Sequence, residues 1–497
     1  MRKSKTSRRE ALKQFGLIGA AGTTLALGLS SQSNATNTSI DNFHSLQPND
    51  KNGISSQNRI TESSRDGFLA ALRKQIDSTP MVDSHEHLQD EAERLKDNRN
   101  CIRLFKHYLG DDFGSAGLDY DAVFGKEMEN EDPVVLWRRL APFWDGVKHT
   151  GYGQAARITI QELYGIDNIT ENVIPQLQQA FAKCAVPGFY EKILRGHCNL
   201  ESCQVDQVPF VETKQPTLLL QDINFTYLTH GIITSDLSKR VGIDEVKDLN
   251  GFHDFIRRWF KKYASYAVAA KCAIAYHRGL DFEKVPAELA EIPFKKRLEN
   301  AQLDPKERKL LQDHLFWFFV AQADEYNLPV KLHTGYYAGY NEMNVSRVEQ
   351  NVAQTADLCL RSPKTRFMFM HTAYPYGNAL ISVAKHFSNA HVQTCWAWII
   401  DPLGTKEFLK RYLVTAPSNK IHAFGGDYNV VENVIGHARI ARNGVYAALA
   451  ELVEDGYLKQ DDALDLVETL LRGNGRRIFN LEHKYEMARK VPWSTVI

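Results

Sequence analysis

Two histidines, two residues apart, close an apolar run in MVDSHEHL (81–88): His85 and His87, with Glu86 between them. In an extended strand residues two apart point to the same side. Both imidazoles then face one point, and Glu86 faces away from it. Imidazole nitrogens suit zinc and related first-row ions, and a carboxylate can complete such a set. Three more residues of suitable type end apolar runs further along: His333 after LPVKL, His371 after RFMFM and Asp427 after HAFGG. Each has a plain structural reading as well. His333 and His371 are readable as satisfied core histidines, and Asp427 as a turn residue or helix cap. A lone H-x-H pair carries little weight. The joint placement of all five residues is what points to a metal site with a histidine to spare for proton transfer. His230, His253 and His386 end no such runs.

These residues need elements that bring them to one place. Strand-like and helix-like segments alternate along the chain. The strand candidates are centred on Met81, Ile193, Gly231, Val268, Val330, Phe367, Val392 and Ile421. Buried-looking strands alternating with helices imply a parallel sheet covered by helices, an α/β protein. Eight such units suggest a (β/α)8 TIM barrel, in which working side chains stand at the C-terminal ends of strands. An open doubly wound sheet would carry a glycine-rich phosphate loop after its first strand, and here that strand ends in histidines. The aromatic, charged stretch from about 97 to 165 reads as a helical insertion after strand 1. Two helices, about 431–454 and 461–479, finish the chain.

Taken in order, the pieces HEH (85–87), KLHTG (331–335), FMHTAYP (369–375) and FGGDY (424–428) resemble the amidohydrolase superfamily. That family has H-x-H on strand one, histidines after strands five and six, and an aspartate after strand eight. KCAIAYHRGL (271–280), AYPYGNA (373–379) and RGNGRRIFNL (472–481) look closest to its amidohydrolase-2 branch. That branch includes decarboxylases of the aminocarboxymuconate-semialdehyde type and lies near uronate isomerase. The resemblance spans roughly 81–481. It implies one divalent ion, zinc by preference, held by His85, His87, His333 and Asp427. It also implies catalysis by Asp427, which takes a proton from water, and by His371, which polarises the substrate or shuttles protons. The activity implied is metal-dependent hydrolysis of an amide, ester or related bond in a small molecule. The alternatives are non-oxidative decarboxylation and uronate isomerase-like sugar isomerisation.

Two-metal members of the family bridge their ions with a carbamylated strand-four lysine. Lys271 is the residue here, and the residues AIAYHR after it set it deep in the strand, so one ion is preferred to a second one bridged by carbamylated Lys271. Arg278 could hold a substrate carboxylate through a two-pronged contact, or serve in a structural salt bridge. Tyr276 and Trp396 are candidate pocket residues, although aromatic pairs more often pack than recognise.

The first 35 residues have a basic start with Arg8 and Arg9, an apolar run from Phe15 to Leu29, and small residues before Ala35. This is the layout of a signal peptide, and it resembles the twin-arginine type. The run is shorter than the roughly 20 residues a membrane-spanning helix needs, so a cleaved signal is preferred to an anchor. The expectation is export to the periplasm or beyond, with no other membrane role. Residues 36–65 are polar and read as a flexible linker. Residues 66–497 form the catalytic domain.

Lysine plus arginine equals aspartate plus glutamate at 60 each, so no strong field favours nucleic acid. Seven cysteines are scattered through the chain and do not form a disulfide framework. Cys198 and Cys203 are near enough in sequence either to pair or to stay free. The partner expected is a small molecule, a carboxylate-bearing one among the candidates, and a single chain or a homo-oligomer is compatible with the sequence.

Overall fold

The computed structural model describes residues 62–97, 100–339 and 343–493. The expected signal and nearly all of the expected linker lie outside the described residues. The helix Glu62–Ser78 begins within the last residues assigned to the linker.

Eight parallel strands follow one another in a single sheet. They are β1 (Met81–Glu86), β2 (Leu200–Val205), β3 (Leu219–Asn224), β4 (Ala267–Cys272), β5 (Val330–Leu332), β6 (Phe367–Phe369), β7 (Ala390–Gln393) and β8 (Ile421–His422). The barrel closes where the chain after β8 meets β1. The Ser84 N–H donates to the Phe424 carbonyl at 3.2 Å, and the Asp427 N–H donates to the His85 carbonyl at 2.8 Å. The His87 N–H donates to the Tyr428 carbonyl at 2.9 Å. Sheet closure therefore also fixes the spacing of three of the expected metal ligands.

Six strands lie where the sequence places them, and two do not. Residues 192–197 form a helical turn, and β2 starts three residues later. Residues 228–230 and 235–240 are also helical, and the third strand is Leu219–Asn224. The true strands were hidden by their polar residues. Ser202, Gln204 and Asp222 are buried inside a barrel whose centre is polar, and Gln221 is buried on the opposite face of its strand. Lys331 on β5 reaches across that centre. Its Nζ donates to the Ser84 carbonyl of β1 at 2.7 Å and to both Asp222 oxygens of β3, at 3.0 and 2.8 Å. Lysine and aspartate there have no exposed surface. A buried charge requires such a partner.

The helical stretch between β1 and β2 is longer than expected, running to His197. Its helix Gly151–Tyr164 packs against Val434–Glu454, so the insertion is bolted to the barrel. A Cβ at Gly436 would stand 1.9 Å from the Ala155 carbonyl oxygen, so only glycine permits that approach. All seven cysteines, including Cys198 and Cys203, are free thiols. Among the described residues no helix is long and apolar enough to cross a membrane.

Candidate metal centre

The C-terminal ends of β1 and β8 bring three side chains to one point. Asp427 Oδ1 lies 3.2 Å from His85 Nε2 and 3.1 Å from His87 Nε2. His85 and Asp427 are buried, and the His87 side chain keeps 32% of its exposure, so one side of the cluster opens outward. His87 Nδ1 lies 3.3 Å from the Asp206 carbonyl oxygen. A carbonyl only accepts, so Nδ1 carries the hydrogen and Nε2 presents a lone pair toward the carboxylate. Two electron-rich atoms at that separation need a cation between them, a proton or a metal ion. A ligating histidine whose other nitrogen donates to a carbonyl is the usual arrangement around a bound metal. The donor set of two imidazoles and one carboxylate therefore fits a divalent first-row ion.

His371 stands on the other side of the same carboxylate, with Nε2 3.7 Å from Asp427 Oδ2. His333 does not join the first cluster. Its Nε2 lies 2.7 Å from the Tyr336 carbonyl oxygen, and its Nδ1 lies 3.1 Å from His371 Nε2. The carbonyl again fixes the tautomer, so His333 Nδ1 accepts from His371 Nε2–H. The two form a relay from the carboxylate toward β5. Burial lowers the pKa of His85 and His371 well below the ordinary histidine value and that of His333 to about 3. The Lys271 charge pushes all three in the same direction. These imidazoles are therefore neutral near pH 7, the form in which a ring nitrogen can bind a metal.

Lys271 is nearer the mouth than its sequence position suggested, because β4 ends at Cys272 and residues 274–276 turn helical. Its Nζ donates to Asp206 Oδ2 at 3.1 Å, and both side chains are buried. Burial opposes its charge, but Asp206 and then Asp427 outweigh it and raise its pKa. The amine is thus held as an ammonium ion, whereas carbamylation needs the neutral amine.

Glu86 points away from the imidazoles, as strand alternation requires, yet it shapes the site. Its Oε2 accepts from the Tyr428 N–H at 2.7 Å, and Asp83 Oδ1 accepts from the Gly426 N–H at 3.2 Å. Burial pushes the Asp83 carboxyl up to about 6. Burial, reinforced by Asp83, holds Glu86 well above the carboxylate range. This acid pair grips the loop on both sides of Asp427. The backbone there is left-handed: φ is 59° at Asp427, 60° at His371 and 46° at Cys395. β-carbon-bearing residues avoid that region, and such positions gather at functional sites.

The insertion supplies a roof. The Tyr108 hydroxyl donates to the Asp427 carbonyl at 2.6 Å. The Tyr108 ring stacks on Trp396 at 4.4 Å and on Tyr152 at 5.4 Å. Trp396 is perpendicular to His371 at 5.5 Å. Tyr276 lies 4.5 Å from His333, and its hydroxyl accepts from the Ala338 N–H. Arg278 is committed elsewhere, bonded to Asp313 at 2.7 Å and Asp281 at 3.0 Å and lying over Phe282. Asp206, Tyr108 and Cys395 were not picked out from sequence. Asp206 ends β2 and would have stood out had that strand been placed correctly.

The family model described as Amidohydrolase matches residues 272–481. No curated protein matches the chain in sequence. A uronate isomerase from Thermotoga maritima shares its fold, with a TM-score of 0.69 at 15% identity over 83% of this chain and 97% of that one. A glucuronate isomerase from Caulobacter crescentus matches with a TM-score of 0.66 at 14% identity over 86% and 97%. A presumed metal-dependent hydrolase from Lactobacillus casei matches at 0.60 and 15% identity over 83% and 98%.

Proposed function

We propose that the chain is a metal-dependent enzyme of the amidohydrolase superfamily, amidohydrolase-2 branch, a reading the family match over residues 272–481 supports, and that it hydrolyses an amide, ester or related bond of a small molecule. The observation that carries this reading is the division of Asp427. One oxygen faces the His85–His87 pair and the other faces His371. His85, His87 and Asp427 would hold a divalent ion, which would supply Lewis-acid polarisation and a water of pKa near about 7.

The chain's own residues do the rest. Asp427 accepts the proton that the attacking water loses. His371, neutral and facing the same carboxylate through Nε2, gives its Nε2–H to the leaving group and recovers a proton from Asp427. His333 keeps the His371 ring oriented through the 3.1 Å contact, and the Tyr336 carbonyl keeps His333 in the accepting tautomer. The aromatic roof of Tyr108, Tyr152 and Trp396 excludes bulk water, which strengthens every charge interaction beneath it.

The test is metal analysis of the purified full chain, with hydrolysis screened in water labelled with oxygen-18. The expected result is bound divalent metal, label in the product, and loss of both when His85 and His87 become alanine. Absence of metal, or metal and turnover unchanged in that variant, rules the reading out.

A second reading is sugar isomerisation, supported by the fold shared with the uronate isomerases over 83% and 86% of this chain. Solvent deuterium fixed in an unhydrolysed product would select it. The Arg278 guanidinium, already paired with two aspartates, is not available for a substrate carboxylate without breaking those bonds. The signal-like layout of residues 1–35 supports an activity outside the cytoplasm. Amino-terminal sequencing of the secreted protein tests that part.

A further inference from the structure

We propose that His371, Cys395 and Asp427 form a second divalent-cation site, a thiolate-bearing one, which shares Asp427 with the His85–His87 pair. One ligand atom from each of the three lies within 4.8 Å of the others, and all three side chains are buried. Asp427 is shaped to serve two ions, since Oδ1 faces His85 and His87 while Oδ2 faces His371.

Three further observations converge on the same cluster. The residues end β6, β7 and β8, and each adopts a left-handed backbone that its β-carbon disfavours. His371 Nδ1 is buried with no hydrogen-bond partner. The thiol also has room made for it, because a Cβ at Gly425 would lie 2.8 Å from Cys395 Sγ.

A thiolate selects zinc or cobalt over magnesium or calcium. Binding forms the metal–sulfur bond and releases the thiol proton to solvent. An ion here holds the His371 ring and one Asp427 oxygen, the groups that proton transfer needs. Its occupation is therefore inhibitory. The proposal rests on the catalytic reading only in sharing Asp427 and His371.

Cobalt tests it without a substrate. The full chain is produced in cobalt-supplemented medium, and its bound cobalt and absorption spectrum are measured. A near-ultraviolet thiolate-to-cobalt charge-transfer band is expected. In Cys395→Ser the band is lost and the cobalt content falls from about two ions per chain to about one, with the visible bands of the first ion kept. Visible cobalt bands without charge transfer in the unchanged chain overturn this site and leave the first one standing. A charge-transfer band that persists in Cys395→Ser overturns it too. No bound cobalt at all defeats both readings. The unchanged chain decides the matter even where the variant fails to fold.

Discussion

Asp427 is the residue on which the site turns, since it touches His85, His87 and His371. Asp427→Asn keeps its shape and removes its charge. Metal affinity should fall by at least about 100-fold, because even groups behind the ligands cost 10- to 100-fold when removed. Competition with a coloured chelator measures this. Lys331 offers a contrasting case. It is fully buried and bridges β1, β3 and β5 without touching the metal cluster. Lys331→Met strands the Asp222 carboxylate in the barrel centre and should cost about 3–5 kcal/mol at neutral pH. Burial already pushes Asp222 up to about 6. The loss should therefore shrink as pH falls and the stranded acid takes up a proton. Urea unfolding at pH 7.5 and pH 5 reads both the size and the trend.

At the scale of elements, the loop after β8 and the insertion after β1 decide whether Asp427 is in place. A Cβ at Gly426 would stand 1.8 Å from Glu86 Oε1. Gly426→Ala should therefore push the acid pair off the loop and abolish metal binding before it abolishes folding. Metal content and far-ultraviolet circular dichroism, measured on the same sample, separate the two effects. Tyr108→Phe removes a single hydroxyl from the roof and leaves the buried Asp427 carbonyl without that donor. A stability loss of about 1–3 kcal/mol is expected, with weaker metal binding, and thermal unfolding with and without added zinc checks both. Strand order and the strands that carry the metal-ligand motif were readable, because apolar runs such as RFMFM end directly in a polar residue. β2 and β3 were not, because a polar barrel interior removes the alternation from LESCQV and LLQDIN.

For the whole molecule, burial of histidine governs the response to acid. His107, His230, His333, His391 and His437 are each held at about 3 by burial, against about 6.5 in an unfolded chain. Below 6.5 the unfolded chain therefore binds more protons than the folded one. This stability is fully present above pH 6.5 and is lost as pH falls toward 3. Asp83 and Asp222, raised to about 6, work in the opposite sense. Glu86, held well above the carboxylate range, joins them, but these three groups are fewer than the five histidines, to which the lowered His85 and His371 add, so the net effect is loss in acid. With chelator present, so that metal release does not contribute, the urea midpoint at pH 5 should lie clearly below that at pH 7.5. An unchanged or higher midpoint at pH 5 would contradict the burial of these rings.

What the sequence determined by itself is the inventory and order of the site. His85, His87, His333, His371 and Asp427 each end an apolar run, and a parallel barrel collects strand ends at one mouth. Which of the five share a ligand position depended on distances between strands far apart in the chain. Only the closed barrel set His85 and His87 against one Asp427 oxygen, turned His333 to the Tyr336 carbonyl, and paired Lys271 with Asp206. Pattern along the chain reports which face a residue takes. The partner on that face is decided by closure, which brings residue 85 to residue 427.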